Sequence, residues 1–234
     1  MELNQLMEHF RRLYGRRNRI FLQSLRDRID FLNIGIGDLQ EAVRKQMSSV
    51  TLETALARVV ARIACIVEHF EGLPLRASML KKYPLYGCSY CTHFPCSCKE
   101  RRPEPTICLP DPKQFTWTLA QWCEHFNAVY GDRNRARGIE NVMNRLFKEV
   151  SELLSLAMRG NSVSIPTTQD EIEREFSFEL ADALAWTIAV ANIYRTNLER
   201  VVLDRYGNGC WKCRKSRCEC TSFNIKPIHW ESDT

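Results

Sequence analysis

The chain repeats itself, and that repetition limits what it can fold into. Glu8-His9-Phe10 recurs as Glu124-His125-Phe126. Tyr14-Gly15 recurs as Tyr130-Gly131, and Arg17-Asn18-Arg19 as Arg133-Asn134-Arg135, all at one offset. Further along, Cys88, Cys91, Cys96 and Cys98 recur as Cys210, Cys213, Cys218 and Cys220, again at a constant offset. Self-similarity of this kind means two copies of one supersecondary unit. The copies are placed at residues 1–100 and 115–234, each ending in a cysteine knuckle. Residues 101–114, including Arg101-Arg102-Pro103-Glu104-Pro105, form a proline-rich linker, stiff and biased against helix.

Within each copy the periodicity is helical, and β-branched alternation is too scarce for a sheet, so the predicted fold class is all-α. Helices are expected over 119–130, 137–158, from about 167–170 to 194, and from Asn197 to Tyr206, with Gly160-Asn161 and a loop through Pro166 in between. The first copy gives 4–14, 20–46, 52–70 and 77–82, the second of these weakened by Gly35 and Gly37.

Chemistry concentrates in the second copy. Glu149 and Glu152 are three apart, as are Glu179 and Asp182, both pairs among apolar residues. Residues three apart share a helix face. One such pair usually marks a solvated face; two on consecutive amphipathic helices are more specific. Four carboxylates in a partly dry site repel, and a divalent cation relieves them. Oxygen-only ligands favour a hard ion such as Mg²⁺, which also takes substrate phosphates. The first copy lacks this set: Gly35 aligns with Glu149, Asp38 with Glu152, and residues 55–66 offer Arg58 and Arg62 but no acid.

Asn141, Leu146, Glu149-x-x-Glu152, a spacer, Glu179-x-x-Asp182 and Trp186 together resemble the all-α nucleoside triphosphate pyrophosphohydrolases, the MazG-like and dimeric dUTPase-like enzymes. The likeness spans about 117–208; Lys148, where many members carry another Glu, departs from it. It implies Mg²⁺ on Glu149, Glu152, Glu179 and Asp182, and hydrolysis of a (d)NTP to the monophosphate and pyrophosphate. It also implies substrate contacts from Asn141, Trp186 and Arg205. Family sites are commonly built by two subunits, so the degenerate first copy is expected to act as the second, an intrachain pseudo-dimer, with a further homodimer left open.

Eight of the 11 cysteines lie in the two Cys-x2-Cys-x4-Cys-x-Cys knuckles. Their clustering suits a structural, tetrahedral Zn²⁺ site in each. Disulfides need an oxidising compartment, and the N-terminus shows no apolar signal region, so the chain is read as cytoplasmic with zinc preferred. An iron–sulfur cluster fits the spacing less well. Cys65 and Cys123 read as core, and His9 and His125 as packing or capping residues. No run of about eighteen apolar residues suggests a membrane span.

Charge is uneven. Residues 1–110 carry 17 Lys/Arg against 11 Asp/Glu, and the rest 16 against 17. With Trp211 and the basic residues Lys212, Arg214, Lys215 and Arg217 near the second knuckle, this leaves a weaker alternative: a non-catalytic nucleotide sensor or nucleic-acid-binding protein.

Overall fold

The computed structural model describes residues 1–70, 73, 75–98, 112–159 and 168–221. Among them there are eight α-helices and no strand: α1 (Leu3–Phe21), α2 (Leu25–Arg44), α3 (Ser49–His69), α4 (Leu75–Lys82), α5 (Leu119–Arg137), α6 (Ile139–Arg159), α7 (Gln169–Ile193) and α8 (Leu198–Tyr206). A 3₁₀ turn at Pro112–Thr116 precedes α5. Most of the linker and all of the Gly160 to Pro166 loop lie outside the described residues.

Local sequence sets the helix starts. Ser24 with Asp27, Thr118 with Gln121 and Thr168 with Glu171 form capping boxes, and the Asn197 side chain caps α8. Two helices outrun their sequence-based limits: α1 continues past Gly15 to Phe21, and α5 past Gly131 to Arg137. Neither glycine takes the positive φ of a helix C-cap, so neither stops its helix. A Cβ on Gly131 would lie 2.5 Å from Asn127 Oδ1. Gly138, at φ +80°, ends α5 instead.

The packing between the halves is reciprocal. α2 lies along α3 and α6 along α7; α1 packs on α3 and α5 on α7. α4 then crosses to α7 and α8 crosses to α3, while α2 meets α6. One apolar cluster runs through both halves, from Leu3, Leu32 and Ile63 to Leu146, Leu184 and Val202. The segments after α4 and α8 cross over too. The Cys96 N–H donates to Val129 O on α5 (2.8 Å), and the Cys218 N–H to Leu13 O on α1 (2.8 Å).

α7 is long and apolar enough, by length and composition alone, to cross a membrane. Most of that stretch is buried against α3, α4, α5 and α6, the pattern of a core helix.

Candidate metal and substrate site

α6 buries Val142, Leu146, Val150 and Leu153 and brings Glu149 and Glu152 to the edge of that face. α7 buries Leu180, Ala181, Ala183 and Leu184 and turns Glu179 and Asp182 the same way. Because α6 packs along α7, the two pairs converge. One oxygen from each of Glu149, Glu152 and Glu179 lies within 4.8 Å of the others, a grouping that can hold a metal ion. Asp182 stands beside this group but is engaged elsewhere. It accepts from Lys82 Nζ and from the Tyr83 hydroxyl, each at 2.5 Å. Both donors come from the end of α4 in the first half. Glu152 is ion-paired with Lys148, one turn away on α6.

Burial dominates the electrostatics of this acidic cluster. Burial, with Asp182 and Glu152 nearby, pushes Glu149 up to about 8. Glu179 is raised as well, by burial first and then by Asp182, with Lys82 opposing. Burial works upward on Glu152 too, but hydrogen bonds from Lys148 and Glu149 outweigh it and lower its pKa.

These carboxylates line a cavity of about 420 Å³, within the size range of small-molecule sites. Its walls also carry four cations, Lys82, Arg133, Arg145 and Lys148, and the aromatic rings of Tyr90, Tyr130 and Trp186. Ser89 and Tyr90 belong to the first knuckle, which therefore closes a cavity whose acids belong to the second half. Trp186 lies where the sequence placed it, in the wall. Asn141 is exposed on α6 and is not among the lining residues. Arg205 lies away from the cavity, against the ring of Trp211 at 4.8 Å. The sequence reading did not single out Lys82, Tyr90 or Arg145. Only Arg133, through its match to Arg17 in the repeat, carried a signal.

Around Asp38 the first half looks different. Arg58 Nη1 and Arg62 Nη2 stand 3.7 and 3.8 Å from Asp38 Oδ2. Arg62 also donates to Phe31 O on α2 (3.0 Å). Gly35 makes room for it, since a Cβ there would sit 2.5 Å from Arg62 Nη1. α2 runs unbroken across Gly35 and Gly37; the close approach of Arg62 involves Gly35 alone, and a Cβ on Gly37 would meet nothing within 4 Å. Among the described residues no second acidic grouping with metal-ligand geometry occurs.

The cysteines form two four-thiol groups, Cys88, Cys91, Cys96, Cys98 and Cys210, Cys213, Cys218, Cys220. Both use the same turn. The Cys88 N–H donates to His93 O, as the Cys210 N–H does to Lys215 O. Thr92 and Arg214 take positive φ, and Gly87 and Gly209 take φ +141° and +113°. A Cβ on Gly87 would lie 2.7 Å from His93 O, so only glycine fits. Cys88 and Cys98 sulfurs are 3.7 Å apart, and the Cys91–Cys96 and Cys210–Cys220 pairs 4.0 Å. Four sulfurs about 2.3 Å from one ion stand about 3.8 Å apart, whereas a disulfide is about 2.05 Å. Burial pushes Cys98 and Cys220 up to about 12. At Cys91 backbone N–H groups overcome burial and bring the thiol to about 5. Four thiolates ionise together only around a cation, and each group can hold zinc.

His9 and His125 are packing residues. His9 Nε2 lies 2.9 Å from Tyr206 O. His125 is buried among Trp117, Trp122 and Phe126, and burial lowers it to about 4.

No protein-family model, curated protein or solved structure matches this chain. The functional reading therefore rests on the placement of these side chains.

Proposed function

We propose that the chain is a Mg²⁺-dependent nucleoside triphosphate pyrophosphohydrolase of MazG-like type. The observation that carries the reading is the convergence of Glu149, Glu152 and Glu179 in a cavity that also holds four cations. Carboxylates alone would repel a triphosphate and cations alone would need no acids; together they suit a phosphate chain that arrives with a metal. Glu149, Glu152 and Glu179 would hold Mg²⁺, with Asp182 joining once Lys82 turns to substrate. The ion would supply neutralisation of triphosphate charge and a more acidic water. Lys82, Arg133, Arg145 and Lys148 then bind the phosphate oxygens. A glutamate takes a proton from the attacking water. The new bond forms to the α-phosphorus, the bond to the β-phosphate oxygen breaks, and pyrophosphate leaves. Tyr90 and Trp186 form the aromatic wall against base or sugar.

In this reading the two halves are one pseudo-dimeric unit. The crossing of α4 to α7 and of α8 to α3 supports it, as does the supply of Lys82, Tyr83, Ser89 and Tyr90 by the first half. Two structural Zn²⁺ ions would hold the knuckles, in a reducing compartment that we take to be the cytoplasm.

The test is pyrophosphate release over a panel of NTPs and dNTPs, with and without Mg²⁺. Mg²⁺-dependent monophosphate and pyrophosphate in equal amounts are expected from at least one nucleotide. No turnover on any, with nucleotide or nucleic acid bound, would replace this reading with the sensor or nucleic-acid-binding one.

A further inference from the structure

Where the second half gathers carboxylates, the first half gathers arginines. Tyr206 packs edge-on against Phe10 and Tyr14, as Tyr83 does against Phe126 and Tyr130. Arg205, the residue before Tyr206, thus takes the place that Lys82 takes before Tyr83. Lys82 faces a carboxylate, Asp182. Arg205 shares the ring of Trp211 with another cation instead: Arg205 Cζ is 4.8 Å and Arg58 Cζ 5.9 Å from its centre.

The charges there do not balance. Among the described residues Asp38 is the carboxylate ion-paired with both Arg58 and Arg62, at 3.7 and 3.8 Å. Arg205 Nε is buried and has no hydrogen-bond partner. Beside it opens a depression of about 300 Å³ whose wall includes Arg205, Trp211 and Arg214. Two carboxylates line it as well: Glu53, which is paired with Arg200, and Asp204, which is exposed. Partly buried like charges are costly unless an opposite charge joins them. Guanidinium groups offer planar, paired donors that match phosphate oxygens, and an exposed indole offers a stacking face.

We propose that the depression formed by Arg205, Arg214 and Trp211, backed by Arg58, is a metal-independent binding site for a phosphate-bearing anion. It is separate from the acidic cavity and does not depend on hydrolysis there. Its ligand is either an inorganic phosphoanion or the phosphate end of a nucleotide stacked on Trp211.

Calorimetric titration of the full chain without Mg²⁺ tests this, with inorganic pyrophosphate and AMP as probes and adenosine as the uncharged control. Pyrophosphate or AMP should bind and adenosine should not. Arg205→Gln should weaken binding at least about tenfold. Arg214→Gln, which changes an exposed side chain, should weaken it severalfold. Arg159→Gln, at an exposed position that lines neither cavity, should leave it unchanged. Tighter binding of AMP, lost in Trp211→Ala, identifies a nucleotide; equal binding of both probes identifies the phosphoanion. Absence of binding by both probes, or affinity unchanged in both Arg205→Gln and Arg214→Gln, would overturn the proposal.

Discussion

The acidic cluster makes a stability prediction that needs no substrate. Glu149 rests at about 8, against an ordinary value of 4.5. Its folded-state pKa lies above its unfolded one, so the fold binds more protons than the unfolded chain between those values. Its favourable contribution is complete below about pH 4.5 and is lost as pH rises through about 8. Each pH unit is worth about 1.4 kcal/mol, so the full swing would approach about 5 kcal/mol. Solvent entering the open cavity and the sharing of charge with Asp182, Glu152 and Lys148 reduce this to about 2–3 kcal/mol. Glu149→Gln removes the charge and keeps the shape. Chemical unfolding without Mg²⁺ should find the variant about 2 kcal/mol more stable than wild type near pH 9 and nearly equal near pH 5. The midpoint of thermal unfolding near pH 9 should rise by about 4–8 °C. Adding Mg²⁺ should stabilise wild type at the higher pH and leave the variant unmoved. A variant less stable than wild type at both pH values, or a difference independent of pH, would refute the argument that Glu149 is a destabilised carboxylate awaiting a cation.

Purified protein should carry about two zinc ions per chain by elemental analysis; oxidised knuckle thiols and no zinc would point to disulfides. Cys210→Ser should lower the unfolding midpoint while pyrophosphate release per folded molecule stays near wild type. Asp38→Asn should alter turnover far less than Glu149→Gln, measured in one pyrophosphate-release assay. Residues 113–234 alone, sized by light scattering, should self-associate or precipitate and turn over poorly as monomer; a monodisperse, fully active monomer would show that the first half is no part of the site.

The helices were legible because their signals are local. Apolar spacing and the caps at Thr168 and Asn197 act within a few residues. The ends of α1 and α5 lie beyond the expected 14 and 130, because Gly15 and Gly131 stay in helical φ and Gly138, at φ +80°, ends α5. The acidic residues could be placed on one face from their spacing alone. Asp182's engagement with Lys82 and Tyr83 was not legible, because those residues lie about one hundred positions away and nothing local marks them. The same holds for Tyr90, which enters the cavity only because the first knuckle bonds to α5. Arg205 was placed at the site from its position in the resemblance. It stands instead at the corresponding place in the other half, because α8 crosses to α3. Where elements cross between halves, a residue's neighbours are set by the partner half and not by its own.

That exchange also bears on why a half without the acidic set keeps its helical pattern and its four cysteines. α4 and the first knuckle supply Lys82, Tyr83, Ser89 and Tyr90 to the cavity of the second half, so loss of their packing would remove a wall of it. Asp38, which aligns with Glu152, is not part of that wall. Change there still has a constraint. A lone Asp38 at a buried position would be an uncompensated charge, and leaving one partner of a buried pair alone costs about 3–5 kcal/mol. Arg58 and Arg62 answer it from the neighbouring helix, and Gly35 is the opening that lets the Arg62 guanidinium approach. In this reading both halves face the same problem of carboxylate charge at a helix interface. The second half leaves it to an ion that can be exchanged along with substrate, and the first meets it with guanidinium groups built into the chain. In the proposal above, Arg205 and Arg214, next to that second solution, make the depression beside Trp211 a place for an anion.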